Sequence, residues 1–85
     1  MGSSKALHTA RYRAFLARLR LAREEAGLTQ VEAAKVLRRA QTWVSKCERG
    51  ERRVDFVELE DFAEAYGKDI AFFATKRRRG RTSAR

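Results

Sequence analysis

Four stretches of the chain repeat apolar residues at helical spacing, and each ends at a break in the pattern. The first runs from Tyr12 to Gly27, where apolar residues alternate with charged ones in the way that is typical of an amphipathic helix. Three more follow, over residues 30–37, 41–49 and 55–67. Glycine readily adopts the left-handed conformation that ends helices, and glycines follow three of the stretches. The pattern predicts four helices joined by short turns.

Two of these helices have clear start signals. Thr29 lies three positions before Glu32, and Asp55 lies three positions before Glu58. In each pair the first side chain can accept a hydrogen bond from the backbone of the glutamate, while the glutamate reaches back to the backbone of the first residue. Ala40, which precedes the third helix, has no side-chain acceptor and is a poor N-cap.

A short apolar segment, residues 69–74, follows the fourth helix. Its sequence, Asp-Ile-Ala-Phe-Phe-Ala, fits either a fifth helix capped by Asp69 or a short strand, because six residues are too few to define a period. We favour the helix. The chain contains no proline, which is consistent with helices joined by short turns.

The charge of the chain is concentrated at its two ends. Of 85 residues, 20 are Lys or Arg and 11 are Asp or Glu, which gives a formal net charge of +9. Residues 1–23 and residues 76–85 each hold six basic and no acidic residues, whereas residues 51–75 hold seven acidic and three basic ones. A chain of this length forms one domain. We assign residues 1–10 to a flexible arm, 11–75 to the folded domain and 76–85 to a disordered basic tail.

This charge distribution leaves several classes of partner open. Basic ends suit a nucleic acid, and they also suit a membrane surface or an acidic protein. A soluble helical domain whose ends happen to be basic has the same composition. If the partner is a nucleic acid, we expect the acidic residues 51–75 to face away from its phosphates.

Several other functional classes need residues that this sequence does not contain. No apolar run approaches the roughly 18 residues that cross a bilayer, and the first 23 residues lack the apolar core of a signal peptide, so we expect a cytoplasmic protein. Cys47 and His8 are the only residues of their types, so no internal disulfide or zinc cluster is expected. We find no Ser-His-Asp set, no paired acid and base for catalysis and no Gly-rich phosphate loop. We therefore expect no enzymatic activity, no metal and no cofactor.

The two short helices predicted over residues 30–37 and 41–49 have the spacing of a helix-turn-helix. The sequence Gly27-Leu-Thr-Gln leads into the first of these helices. Val44-Ser-Lys lies within the second, and Glu48-Arg-Gly lies at its end. With these motifs the chain resembles the phage-repressor/Cro-like, or XRE-type, helix-turn-helix family over about residues 13–67. The resemblance implies an all-α, compact, lambda-repressor-like DNA-binding domain of four to five helices. It also implies that a homodimer binds double-stranded DNA at a palindromic operator.

The resemblance assigns roles to residues of the second and third helices. It implies base contacts from the start of the recognition helix, residues 41–49, where Gln can pair with adenine and Lys with guanine. The base-contacting residues are then Gln41, Thr42, Ser45 and Lys46. It implies contacts to the DNA backbone from Gln30, Arg39, Trp43, Arg49, Arg52 and Arg53. A packing role for Trp43, and solvent exposure for any of the arginines, are the alternatives.

Further residues are assigned structural roles. The resemblance pairs Arg23 with Glu48 as an ion pair between the first and third helices, the alternative being two exposed charges. The helical pattern predicts a core formed by Leu16, Leu19, Ala34, Leu37, Val44 and Cys47. Aromatic and aliphatic residues near the C-terminus are too apolar to be left exposed on a monomer. They predict a dimer interface of Phe62, Tyr66, Ile70, Phe72 and Phe73.

One departure from the family pattern lies in the turn between the two helices. Arg38 stands where the family usually has glycine, and a positive φ at a residue with a Cβ costs on the order of 1 kcal/mol. If Arg38 has this conformation, replacing it by glycine raises the thermal midpoint.

These features predict a sequence-specific DNA-binding transcriptional regulator, either a repressor or an autoregulator. RNA polymerase or a cognate protein partner are further candidates for binding. A controller of a restriction-modification system and the antitoxin of a toxin-antitoxin pair fit the same residues. A protein of another class, an interaction adaptor that keeps the fold without specific DNA binding, is the remaining alternative.

Overall fold

The structure is a computed structural model, and it describes residues 9–76. In this part of the chain there are four α-helices, which we name α1 to α4, followed by one turn of 3-10 helix at Ile70–Phe73, and no strand. The helices are α1 (Ala10–Glu25), α2 (Gln30–Leu37), α3 (Gln41–Arg49) and α4 (Phe56–Tyr66). The all-α prediction is confirmed. The predictions for the N-terminal arm and the basic tail fall almost wholly outside the described residues.

The predicted capping boxes are both present. The Thr29 hydroxyl accepts from the backbone N–H of Glu32 at 3.1 Å, and the Glu32 carboxylate accepts from the backbone N–H of Thr29 at 2.9 Å. Asp55 and Glu58 make the same reciprocal pair at the start of α4. Ala40 makes no side-chain cap at α3.

Helix α1 begins earlier than the apolar pattern indicated. Its first residue is Ala10, and the Thr9 hydroxyl caps it by accepting from the backbone N–H of Tyr12 at 3.1 Å. Thr9 and Ala10, which were assigned to the arm from the sequence, therefore belong to the start of α1. The apolar pattern starts only at Tyr12 because the first turn of α1 is exposed.

The segment after α4 is helical, as we favoured over the strand, but it is a 3-10 turn rather than an α-helix. Its four residues, Ile70–Phe73, are held by short-range bonds such as Phe72 N–H to the carbonyl of Asp69 at 3.0 Å. The Asp69 side chain makes no capping bond, so the predicted cap is wrong. A segment this short closes with i to i+3 bonds because it lacks the length for a stable α-helix.

The core lies where α1, α3 and α4 meet. Leu19, Val44, Cys47 and Phe62 are completely buried, and Leu16 and Ala34 are nearly so, while Leu37 is only partly buried at the edge. The small side chains Ala33 and Ala34 are buried between α2 and its neighbours, which lets α2 pack closely against α3. The core thus fixes α3 against the rest of the domain.

The turn between α2 and α3 has the predicted unusual backbone. Arg38 has φ 59° and ψ 45°, and it is the only residue other than glycine with positive φ among residues 9–76. Its conformation lets the N–H of Arg39 donate to the carbonyl of Ala34 at 2.9 Å. This left-handed residue sets the angle at which α3 leaves α2.

Within residues 9–76, no helix combines the length and apolar composition that crossing a bilayer requires. Helix α1, with 16 residues, carries arginines along its length and packs against α3 and α4 instead.

Candidate nucleic-acid interface

The exposed side of α3 carries three of the four residues that were assigned to base contacts. Gln41, Thr42 and Lys46 are solvent-exposed, whereas the opposite side of the helix is buried through Val44 and Cys47. An α-helix with its side chains is about 10–12 Å across. The major groove of DNA is about 12 Å wide and accepts one such helix.

Ser45, the fourth residue of that set, lies elsewhere. It is only 9% exposed, and its hydroxyl accepts a hydrogen bond from the Arg49 guanidinium at 2.6 Å. The sequence could not show this, since a polar residue in a short helix fits either side. Ser45 therefore orients Arg49 and presents little surface to a base.

Arg49 was assigned to the DNA backbone, and in the structure it is exposed but paired. Its Nε lies 2.9 Å from the carboxylate of Glu51. Hydrogen bonding to Arg49 lowers the pKa of Glu51 from its ordinary value. Since this pair is open to solvent, Arg49 can leave Glu51 and bind a phosphate at little cost in free energy.

The ends of α1 and α3 are joined by an ion pair between Arg23 and Glu48. The Arg23 Nε donates to Glu48 Oε2 at 2.6 Å, and a second guanidinium nitrogen donates to Glu48 Oε1 at 3.0 Å. The side chains are only 11% and 5% exposed. Arg23 also donates to the carbonyl of Leu28 at 2.9 Å, and its bond to Glu48 raises its pKa. This geometry is that of a buried structural pair rather than of two exposed charges.

Two glutamines extend this pair to the exposed surface. Gln30 Nε2 donates to Glu48 Oε1 at 3.0 Å, and Gln41 Nε2 donates to Gln30 Oε1 at 2.9 Å. Gln30 and Gln41 were assigned separately to phosphate and base, and their contact with each other was not predicted. The sequence carries no signal for it, because the residues are 11 positions apart. The first residues of α2 and α3 are thus joined.

Trp43 takes the packing role that was its alternative. It is half-buried, and its ring stacks on Phe62 with centroids 5.5 Å apart and an angle of 15° between the planes. The guanidinium groups of Arg39 and Arg52 lie 4.2 and 5.1 Å from the centre of the Trp43 ring. Trp43 therefore supports Arg39, an exposed residue that was assigned to contacts with the DNA backbone.

Arg52, also assigned to the backbone, is used within the domain. Its two terminal nitrogens donate to the two carboxylate oxygens of Glu58 at 2.9 and 2.8 Å. The Arg52 guanidinium lowers the pKa of Glu58 to about 2. This bidentate pair connects the loop after α3 to the first turn of α4, so Arg52 has a structural role, while its contact with the DNA backbone stays a prediction.

Arg53 is exposed and lies over the ring of Tyr12, 4.6 Å from its centre. The Tyr12 hydroxyl in turn accepts from the backbone N–H of Val54 at 3.0 Å. The loop that carries Arg53 is therefore attached to α1. Arg53 keeps its charge at the surface, where it is available to a phosphate.

Three of the five residues assigned to a dimer interface belong to the core. Phe62, Tyr66 and Phe73 are 0%, 4% and 3% exposed within one chain, so they have no surface for a partner. Ile70 is 37% exposed. Phe72 is half-buried, with Arg18 over its ring at 4.1 Å. Sequence reasoning placed these side chains at an interface because an apolar residue does not indicate whether its own chain or another covers it.

Comparisons with known proteins agree with this geometry. A helix-turn-helix domain family matches residues 14–71. A solved structure of an XRE-family like protein from Pseudomonas syringae pv. tomato str. DC3000 is 44% identical in sequence, with a TM-score of 0.73. The match covers 86% of this chain and 89% of that one. No curated protein gives a significant match.

Proposed function

Because the chain belongs to the XRE-type helix-turn-helix family, whose members bind DNA, we propose that it is a sequence-specific transcriptional regulator, acting as a repressor or autoregulator. Its recognition helix is α3, and α2 lies across the sugar-phosphate backbone. The observation that carries the proposal is the exposed, polar side of α3 on a helix that is buried on its other side.

The side chains on α3 have the chemistry of base recognition. Gln41 offers a donor and an acceptor, which match N7 and N6 of adenine, and Lys46 offers donors that match O6 and N7 of guanine. Thr42 lies beside Gln41 and can reach a base edge or a thymine methyl group. Sequence preference on this account comes from a few placed groups.

The groups around α3 suit phosphates. Arg39 and Arg53 are exposed next to the aromatic rings that hold them, and the carboxylate that pairs with Arg49 is open to solvent. Gln30 stands at the N-terminus of α2, where free backbone N–H groups favour an anion. These contacts position the protein on the duplex without reading sequence.

We further propose that a homodimer binds a palindromic operator. A single helix of nine residues reads one half-site, and a two-fold dimer doubles the contact and explains a symmetric site. Of the residues first assigned to the interface, Ile70 and Phe72 keep accessible surface, and they centre the contact that we propose.

A pair of charge-matched variants tests the role of α3. Lys46→Ala removes a cation from the exposed side of α3, and Lys35→Ala removes one from the exposed side of α2. We expect Lys46→Ala to lower the ratio of specific to random-duplex affinity by about tenfold. Lys35→Ala leaves this ratio unchanged. An equal ratio in both variants would contradict the assignment of α3 as the recognition helix.

A further inference from the structure

The guanidinium group of Arg49, in the last turn of α3, is occupied by groups of its own chain. Its Nε donates to Glu51 Oε2 at 2.9 Å, and one terminal nitrogen donates to Glu51 Oε1 at 3.2 Å. The other terminal nitrogen donates to the Ser45 hydroxyl at 2.6 Å. All three nitrogens of this guanidinium therefore have an acceptor within the domain.

Glu51 is held beside Arg49 by the way in which α3 ends. Gly50 has φ 79°, which reverses the chain, and the backbone N–H of Glu51 then donates to the carbonyl of Lys46 at 2.9 Å. This bond fixes the backbone of Glu51 to the last turn of α3. The Glu51 carboxylate, which is 51% exposed, thus lies at the end of the proposed recognition helix.

A carboxylate in this position competes with DNA for the same donors. Arginine binds a carboxylate and a phosphate in the same way, through two parallel N–H groups on one edge of the guanidinium. In Arg49 the edge formed by Nε and one terminal nitrogen is taken by Glu51. A phosphate that uses this edge must displace Glu51, and the displaced carboxylate then faces the negative charge of the duplex.

We propose that Glu51 limits the sequence-independent affinity of the protein for DNA, because its carboxylate occupies Arg49 in place of a phosphate. Helix α3 carries two cations, Lys46 and Arg49, and non-specific binding depends almost entirely on such charges. Weaker binding to random sequence leaves more of the protein free for its selected site. This role depends on the proposed function, since it assumes that α3 faces DNA.

The test is the affinity for a random-sequence duplex, measured across salt concentrations. Glu51→Gln removes the charge and keeps the shape of the side chain. At low salt we expect it to raise the affinity about fivefold, which is the upper range for an exposed ion pair. We also expect the plot of log K against log salt concentration to become steeper by about 0.9, because one more phosphate is neutralised.

Glu25→Gln is the charge-matched control. The Glu25 carboxylate is 47% exposed and also pairs with a cation, but its partner is Lys68, which follows α4. Glu25→Gln therefore makes the same change in net charge without releasing a cation of α3. We expect it to leave the affinity and its salt dependence nearly unchanged.

A double-mutant cycle separates competition for Arg49 from general repulsion by the carboxylate. In an Arg49→Ala chain no guanidinium remains to be released, so Glu51→Gln is expected to raise the affinity much less than it does in the wild-type chain. Circular dichroism establishes whether Arg49→Ala is folded. If it is not, Arg49→Gln takes its place in the cycle.

Each outcome supports or overturns the role of Glu51. An equal gain in affinity in Glu25→Gln, or a gain from Glu51→Gln that persists in full without Arg49, would mean that only net charge matters. Unchanged or lower affinity in Glu51→Gln would also overturn the role. If the wild-type chain binds random duplex but selects no site, the proposed function fails while the role of Glu51 is decided by its variants. If the wild-type chain binds no duplex, both fail.

Discussion

Arg38 stands in a backbone conformation that favours glycine. Its φ of 59° brings the Cβ close to its own backbone, at a cost of roughly 0.5–1 kcal/mol. We expect Arg38→Gly to raise the thermal midpoint by roughly 2–8 °C. Differential scanning calorimetry measures it. Arg38→Ala, which removes the charge and keeps the Cβ, is the control, and an equal rise in both variants would show that charge rather than backbone strain is responsible.

The buried ion pair between Arg23 and Glu48 can be compared with an exposed one, because α1 also carries Arg20, which pairs with Glu24. Arg23→Ala leaves Glu48, which is 5% exposed, without its cation, and we expect a loss of about 3–5 kcal/mol. Arg20→Ala removes an arginine that is 66% exposed and pairs with Glu24, with an expected loss below about 1 kcal/mol. Urea denaturation at neutral pH measures both. Similar losses would mean that burial does not strengthen the Arg23 pair.

A loss of that size is a large part of the stability of a domain this small. Arg23→Ala is therefore expected to affect DNA binding through unfolding as well as through the orientation of α3.

At the scale of elements, the start of α4 depends on the charge of Glu58. Arg52 lowers the pKa of Glu58 to about 2 from an ordinary 4.5. A carboxyl whose pKa is lowered by folding stabilises the protein above the unfolded value, and this contribution is lost as the pH falls toward the folded value. The stabilisation by Glu58 is therefore present above pH 4.5 and lost between about 4.5 and 2.

Glu58→Gln tests this linkage. At neutral pH we expect the variant to be less stable than the wild type by about 1 kcal/mol, because Arg52 is partly solvated. The difference between the two proteins shrinks as the pH falls from about 4.5 toward 2. Denaturant unfolding at several pH values measures it. A difference that is constant across this window would contradict the role of the Glu58 charge.

The elements themselves were largely predictable, because their signals are local. Each capping box lies within four residues of sequence, and the starts of α2 and α4 follow from them, while the end of α3 follows from Gly50. The contacts between elements were not predictable. Glu58 gives no sign that its partner is Arg52, and Gln30 gives none that it meets Glu48, since such pairs depend on how the helices pack.

At the scale of the whole molecule, the same dependence on packing explains why three of the residues assigned to a dimer interface lie in the core. Phe62, Tyr66 and Phe73 have the apolar character of an interface, and the structure uses them to cover α1 and α3 within one chain. The recognition surface was easier to predict except at Ser45, which is buried, because Val44 and Cys47 set the buried side of α3 through their helical spacing. Gln41 and Lys46 are exposed there, as the resemblance implies.

The net charge of +9 is also a property of the whole molecule. Residues 24–50 hold five basic and four acidic residues, so most of the net charge lies elsewhere in the chain and contributes mainly affinity that does not depend on sequence. Base preference on our account comes from a small set of oriented side chains on α3. Specific and non-specific binding are therefore expected to respond differently to salt and to substitutions.

The measurement that tests the central claim most directly is selection of duplexes from a random library, with affinities for the selected and random DNA compared across salt concentrations. We predict two inverted half-sites whose centres lie about one helical turn or a multiple of it apart. We also predict affinity at least about a thousandfold above random duplex at physiological salt. Failure to enrich any sequence, with equal affinity and equal salt dependence for all duplexes, would contradict the account.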